Sequence, residues 1–372
     1  MEFADPEVAP DCIIVRGCSV TARAQRDCEK ELERLRARYP HARILPVGCL
    51  PMANSAAVES LLSDESAVDA AIPRSTSRAY LKVQDGCSGH CAFCIVPRFR
   101  GAPVSVPFAK VLDRARSFLA AGFRELVVTG CNLALYRSDG RGLPALLAAL
   151  AELKFDGKDA PSHRVRLGSL EPGICDSALL EAFSDHANLC RFLHLSLQSG
   201  SDAVLERMNR PYRIETVARF CAEARSRLGA HLALGADVIT GFPGETADDF
   251  RATCDFVADF ANLHVFPYSE RPGTPAATMA GALPREVRIE RARELEARAR
   301  SARAVFARSF LGREVEVCVE RGGDHGWTAE YLPCKLEGKF ERRSLVTVKV
   351  ENVDDENRLI AKEYGIVPPK MI

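Results

Sequence analysis

DGCSGHCAFCIVPRFRG, residues 85–101, decides the reading of this chain. Cys87, Cys91 and Cys94 follow a CxxxCxxC spacing directly after the strand-like run YLKV (80–83). A cubane iron–sulfur cluster takes one thiolate per iron, whereas a structural zinc site takes four protein ligands. Three thiolates therefore leave one iron open to a small molecule bearing an amine and a carboxylate. Gly86 and Gly89 give the loop the freedom to bring three sulfurs to one cube. Phe93, beside the last cysteine, is placed to pack on a bound cofactor. The competing readings are three structural cysteines or part of a zinc knuckle. No fourth ligand lies at zinc spacing nearby, although His90 sits within the loop.

Outward from this loop the chain divides by period. Residues 76–308 alternate strand and helix, with strands expected at YLKV (80–83), ELVVT (125–129), RVRLG (164–168), FLHLSL (192–197), LALGADVI (232–239) and LHVF (263–266). Six such units fit a partial or full β/α barrel, whose ligands sit at the C-terminal strand ends. Residues 1–75 form a smaller parallel α/β unit. Its strands are CIIV (12–15) and ARILPV (42–47), and its helices run from Thr21, an N-cap, to Tyr39 and from Ala53 to Leu62. An arginine-rich helix begins at Leu283. After Gly312 the period becomes two, and EVEVCVE, TAEYLPCKL, SLVTVKVENV and RLIAKEY (309–372) read as a small antiparallel β barrel. The fold class is thus a multidomain α/β protein with a terminal β barrel.

Lys+Arg and Asp+Glu balance at 50 each, so any basic surface must be local. Fourteen cysteines are many for 372 residues. The start, MEFADPEVAP, is acidic and proline-broken with no apolar core, so no signal peptide is read. Leu143 to Leu153, the most apolar stretch, is too short to span a bilayer. A cytoplasmic protein without a membrane partner is expected, and clustered cysteines there point to metal or catalysis rather than cross-links.

Five further segments place polar groups at strand ends. VVTGCNLALY (127–136) carries Thr129 and Gly130, where glycine permits close approach of a ligand. RLGSLEP (166–172) carries Glu171, either a ligand for ribose hydroxyls or a surface carboxylate. HLSLQSGSDAVLERMNR (194–210) carries Gln198. DVITGFPGET (237–246) carries Asp237 and Ile239, and HVFPYSERPGTPA (264–276) carries Phe266. Singly, each is ordinary loop chemistry.

Taken in this order after CxxxCxxC, these segments resemble the radical S-adenosylmethionine (SAM) methylthiotransferase family over nearly the whole chain. YLKVQDGCSGHCAFCIVPRFRG, RLGSLEP, MNRPYR and HVFPYSERPGTPA resemble its branch acting on N6-threonylcarbamoyladenosine in tRNA. The resemblance implies a [4Fe–4S] cluster on Cys87, Cys91 and Cys94 that, when reduced, cleaves SAM to methionine and a 5′-deoxyadenosyl radical. Phe93, Thr129, Gly130, Glu171, Gln198, Asp237, Ile239 and Phe266 would bind the cofactor. A methylthio group would then be inserted at C2 of the modified adenine next to the anticodon. The isopentenyladenosine branch is the sibling alternative. Two others are a radical SAM enzyme without sulfur insertion and a non-catalytic iron–sulfur RNA-binding protein.

The resemblance also implies a second [4Fe–4S] cluster in the N-terminal unit. Cys18 in CIIVRGCSVTA and Cys49 in LPVGCLP match two of its three ligands. The family's other cysteine precedes them after an earlier strand, and the chain starts too late to contain it. Cys12 and Cys28 do not occupy that position. The terminal barrel resembles the RNA-binding TRAM domain. Trp327, Tyr331 and Lys335, with Arg300, Arg303 and Arg308 on the preceding helix, would meet RNA through stacking and phosphate contacts. For Tyr331 the alternation fits a barrel-core position equally well. Expected partners are tRNA and an electron donor such as flavodoxin or ferredoxin, acting on a monomer.

Overall fold

A short strand just before the cysteine loop sets the architecture. β3 (Ala79–Asp85) buries Ala79, Leu81 and Val83 on one face and exposes Tyr80 and Lys82 on the other. That alternation is what a strand between a helical shell and a lumen requires. The computed structural model describes residues 10, 12–17, 22–48, 76–154, 162–174 and 176–363.

From β3 a parallel sheet runs through β5 (Glu125–Gly130), β6 (Arg164–Leu167), β7 (Phe192–Gln198), β8 (Ala233–Thr240) and β9 (Asn262–Pro267). Isolated bridges, Val165 to Leu189 and Leu170 to Leu195, carry it across from β6 to β7. β4 (Val104–Ser105) pairs antiparallel at the β3 edge. Among the described residues no pairing joins β9 to β3, so the barrel is an open one. All six strands expected from the sequence are present.

The connecting helices cover the outer face. α3 (Phe108–Ala120), α4 (Leu143–Ala151), α5 (Ser177–Asp185), α7 (Ile214–Leu228) and α8 (Ala247–Phe256) follow the strands, with the short α2 (Val96–Arg100) and α6 (Asp202–Arg207) at the strand-end loops. Leu81, Val128, Leu167, Leu195 and Leu234 pack against Phe118, Leu146, Phe183 and Phe220 to form the main core. No helix among the described residues is long and apolar enough to cross a membrane.

α9 (Arg285–Arg308) starts just inside Pro284, two residues later than the sequence suggests, and runs along β8 and β9. The terminal barrel then closes in the order β10 (Glu314–Val319), β11 (His325–Thr328), β12 (Pro333–Glu337), β14 (Leu359–Glu363), β13 (Leu345–Val353). Two corrections follow. TAEYLPCKL is not one strand: Thr328 ends β11, Tyr331 turns at φ 64°, and β12 begins at Pro333. The barrel is not wholly antiparallel, because β12 and β14 run parallel.

The joint between the two barrels is polar at its centre. Glu125 is fully buried and pairs with Arg164 at 2.5 Å and Arg166 at 2.7 Å. The same guanidiniums donate to the Trp327, Thr328 and Ala329 carbonyls at 2.7, 2.8 and 3.0 Å. Beside them Tyr331 stacks between Trp327 and Phe192, with ring centroids at 4.7 and 5.0 Å. Arg78 lies over the Trp327 ring.

At the N-terminus β1 (Cys12–Gly17) and β2 (Arg43–Gly48) pair in parallel, and α1 (Ala22–Arg38) packs Leu32 on Ile13 and Val15. Cys28 is half-buried on that helix. Arg271 reaches α1 through a 2.6 Å bond to Gln25. Thr21, Cys18, Cys49 and the helix expected over Ala53–Leu62 lie outside the described residues.

Candidate cofactor and iron–sulfur site

The cysteine loop is held from below by Gln84. This side chain is fully buried at the end of β3. Its Nε2 donates to the Asp85 and Gly86 carbonyls, both at 2.7 Å, and its Oε1 accepts from the Asn132 amide at 2.8 Å. Gly86 then turns at φ 70°, where a Cβ would stand 2.0 Å from the Ala102 carbonyl oxygen.

Two other segments brace the loop from above. Asn209, itself at φ 56°, donates to the His90 carbonyl at 2.8 Å, and the Ala92 amide donates to the Met208 carbonyl at 2.9 Å. The Ala276 amide, in the Gly-Thr-Pro segment, donates to the Ala92 carbonyl at 2.9 Å. The MNR and GTP stretches are therefore loop supports.

The sulfurs face one space. A Cβ built on Gly89 would lie 3.2 Å from Cys87 Sγ and 3.9 Å from Cys91 Sγ. The Gly89 amide donates to Cys87 Sγ at 3.2 Å and Arg210 Nη1 to Cys91 Sγ at 3.0 Å. The Asn132 side-chain nitrogen lies 3.8 Å from Cys87 Sγ. Burial pushes the Cys94 thiol up to about 11, so its ionisation needs a cation at the sulfur. A [4Fe–4S] cluster fits this donor set: three convergent sulfurs with N–H donors aimed at two of them, as thiolate ligands require.

Arg210 ties the loop to the strand ends. It pairs with Glu171 at 2.6 Å and donates to the Ser196 carbonyl at 2.8 Å and to Tyr212 Oη at 2.9 Å. Burial raises the Glu171 carboxyl, and Arg210 opposes that shift.

A cavity of about 590 Å³ lies over the sulfurs, bordered by Cys87, Cys91, Cys94, Gly130, Glu171 and Gln198. A second, of about 250 Å³, adjoins it between Phe93, Ile239, Phe266 and Asp237. Phe93, Cys94 and Gln198 border both. The sequence-expected cofactor residues thus gather at one mouth, except Thr129, which sits half-buried on β5 outside both linings. Gln84, Asn132, Ser196 and the structural role of Arg210 were not read from sequence. The one available signal was a glutamine directly after the buried Leu81 and Val83 of the strand beside the motif.

The six residues expected to face RNA separate. Arg300, Arg308 and Lys335 are exposed. Arg303 is half-buried, with its charge close to the Tyr331 hydroxyl. Trp327 and Tyr331 are committed to the joint, and Tyr331, stacked on both sides, presents no free face to a base.

Comparison with known proteins agrees with this geometry. The Radical SAM superfamily profile matches residues 81–257, from β3 and its cysteine loop through α8. The chain is 38% identical over 262 residues to tRNA-2-methylthio-N(6)-dimethylallyladenosine synthase of Erythrobacter litoralis, covering 69% of this chain and 58% of that one. It is 30% identical over 365 residues to threonylcarbamoyladenosine tRNA methylthiotransferase MtaB of Rickettsia prowazekii, covering 87% and 84%. The same identity extends over 400 residues of the MtaB of Thermotoga maritima, covering 96% and 90%. The chain belongs to the radical SAM methylthiotransferase family. Membership brings a [4Fe–4S] cluster and SAM as its cofactors.

Proposed function

We propose that the chain is a tRNA methylthiotransferase that inserts a methylthio group at C2 of N6-threonylcarbamoyladenosine beside the anticodon. The observation that carries this is the joined cavity. Three cysteine sulfurs border one end and an aromatic pocket of Phe93 and Phe266 lines the other. Alignment across 84% and 90% of two threonylcarbamoyladenosine enzymes supports that branch. The higher identity to the dimethylallyladenosine enzyme, 38%, favours the second reading.

Cys87, Cys91 and Cys94 would hold the cluster, which when bound supplies the electron that cleaves the sulfonium. Arg210 offsets the charge on the Cys91 sulfur and fixes Glu171 toward the cavity. Glu171, Gln198 and Asp237 offer polar contacts to the amino-acid and ribose groups of SAM, while Phe93, Ile239 and Phe266 pack its base. Gly130 leaves room for backbone approach, and Thr129 supports that turn. A cofactor seated in this cavity would displace water from around a reactive intermediate.

In this reading residues 1–75 offer Cys18 and Cys49 as two of the three ligands of a second cluster, 76–308 carry the radical chemistry and 309–372 form the RNA-binding barrel. Exposed Arg300, Arg308 and Lys335 contact tRNA phosphates, while Arg303, Trp327 and Tyr331 maintain the joint. The target base must leave its stack, which costs a few kcal/mol that such contacts offset. A flavodoxin or ferredoxin supplies electrons to a cytoplasmic monomer.

The test is anaerobic reconstitution with iron, sulfide, SAM and tRNA, followed by nucleoside mass spectrometry. The 2-methylthio derivative of threonylcarbamoyladenosine is the expected product, and it should vanish in Cys87→Ala. Product only from tRNA carrying isopentenyladenosine would move the chain to the sibling branch. No cofactor cleavage and no thiolated nucleoside would sink both readings. Iron near eight per chain supports two clusters, and near four supports one.

A further inference from the structure

At the edge of the aromatic pocket, three polar side chains from adjacent strands meet. β7, β8 and β9 run parallel in register, with His194 opposite Gly235 and Asp237 opposite His264. His194 Nε2 lies 3.0 Å and His264 Nδ1 3.1 Å from the same oxygen, Asp237 Oδ1. The two imidazoles flank the carboxylate with ring centroids 4.6 Å apart. His194 is buried, and a Cβ on Gly235 would stand 2.7 Å from its Nδ1, so the glycine makes room for the ring.

Asp237 also borders the aromatic pocket, along with Phe93, Gln198, Ile239 and Phe266. Its second oxygen, Oδ2, takes no hydrogen bond among the described residues. We infer that His194 and His264 are positioning residues that clamp Asp237, aiming Oδ2 as the acceptor for a hydroxyl or amine donor of the nucleoside cofactor in that pocket. This rests on the proposal that the pocket takes SAM.

The chemistry of the clamp is specific. An imidazole donates from one nitrogen when neutral, so the geometry assigns the proton to Nε2 of His194 and to Nδ1 of His264. With Oδ1 satisfied twice, the carboxylate cannot rotate without breaking both bonds, and one acceptor remains for the ligand. Burial favours the neutral acid, but the two histidine bonds outweigh it and hold the carboxyl at about 2. Partners of this kind orient a binding group, and their loss typically costs 10- to 100-fold in affinity or activity.

Two histidines and a carboxylate within 4.8 Å are also a ligand set for a divalent first-row metal. Here both ring nitrogens converge on the oxygen itself, which favours the hydrogen-bonded clamp and makes the metal an outcome to be tested.

The experiment uses the full cluster-loaded chain under anaerobic conditions, measuring iron content, bound zinc and the Kd for SAM by calorimetry. His264→Leu and His194→Leu should raise Kd about 10-fold or more with iron unchanged. His264→Asn replaces the Nδ1 donor and His194→Gln the Nε2 donor, so each should stay within about threefold of wild type. Should His194→Leu fail to fold, the Leu and Asn variants at His264, whose side chain is 58% exposed, decide the matter. Leucine variants that bind SAM like wild type overturn the clamp. So does one zinc per chain in wild type that disappears in His264→Leu. If wild type itself binds no SAM, it is the functional proposal that fails, and the clamp falls with it.

Discussion

Gly86 turns the chain out of β3 at φ 70°, and the space a Cβ would need is filled by the Ala102 carbonyl. Both constraints act one residue before Cys87, so strain there moves the first sulfur. A side chain forced into that conformation costs on the order of 1–3 kcal/mol before the clash is counted. Gly86→Ala is therefore expected to lose at least half of the iron bound at the three-cysteine loop, read as iron and sulfide per chain. Wild-type loading in that variant would show that the loop tolerates the displacement. The same scale explains Arg210, which spans 119 residues of sequence to reach Cys91 Sγ and closes a chain of polar contacts through Glu171 and Ser196.

Strands β5 and β6 carry their charges inward, against the usual pattern for a barrel core. The reason is the joint: Arg164 and Arg166 have Glu125 on one side and three carbonyls of the β11–β12 turn on the other. Burial alone would push the Glu125 carboxyl up, but Arg164 and Arg166 outweigh it and hold it at about 2, below its ordinary 4.5. A carboxyl depressed in the folded state stabilises fully above its unfolded value, and that contribution is lost as pH falls through 4.5 toward 2. Glu125→Gln strands two buried guanidiniums and should cost about 3–5 kcal/mol near pH 7. Denaturant melts at a series of pH values would check this. The wild-type chain should weaken below about pH 4.5, and the variant should show a flatter acid limb.

Across the whole molecule, the joint fixes the terminal barrel against the end of the open barrel, with Tyr331 and Phe306 packed on Phe192. The proposed RNA contacts fall on the outer surface, where Arg300, Arg308 and Lys335 are exposed. Each phosphate contact releases counterions, contributing roughly 0.7–0.9 to the slope of log affinity against log salt. Replacing all three with alanine should weaken tRNA binding and flatten that slope by roughly 2.1–2.7, while iron content stays at the wild-type value. An unchanged slope would put the RNA-binding surface elsewhere.

The cysteine loop, six barrel strands, the arginine-rich helix and the switch to period two were all legible in the sequence. They rest on local spacing and periodicity, which survive in any window of a dozen residues. The residues expected to bind the cofactor lie in ordered strand-end segments, and all but Thr129 border the joined cavity. Cys18 and Cys49 lie outside the described residues. Only the tertiary structure decided which inward-facing groups meet: Glu125 with two arginines, two imidazoles on one Asp237 oxygen, Tyr331 in the joint rather than open to RNA. Such pairings depend on strand register and barrel curvature, which bring together residues tens to hundreds of positions apart, and no local pattern encodes them.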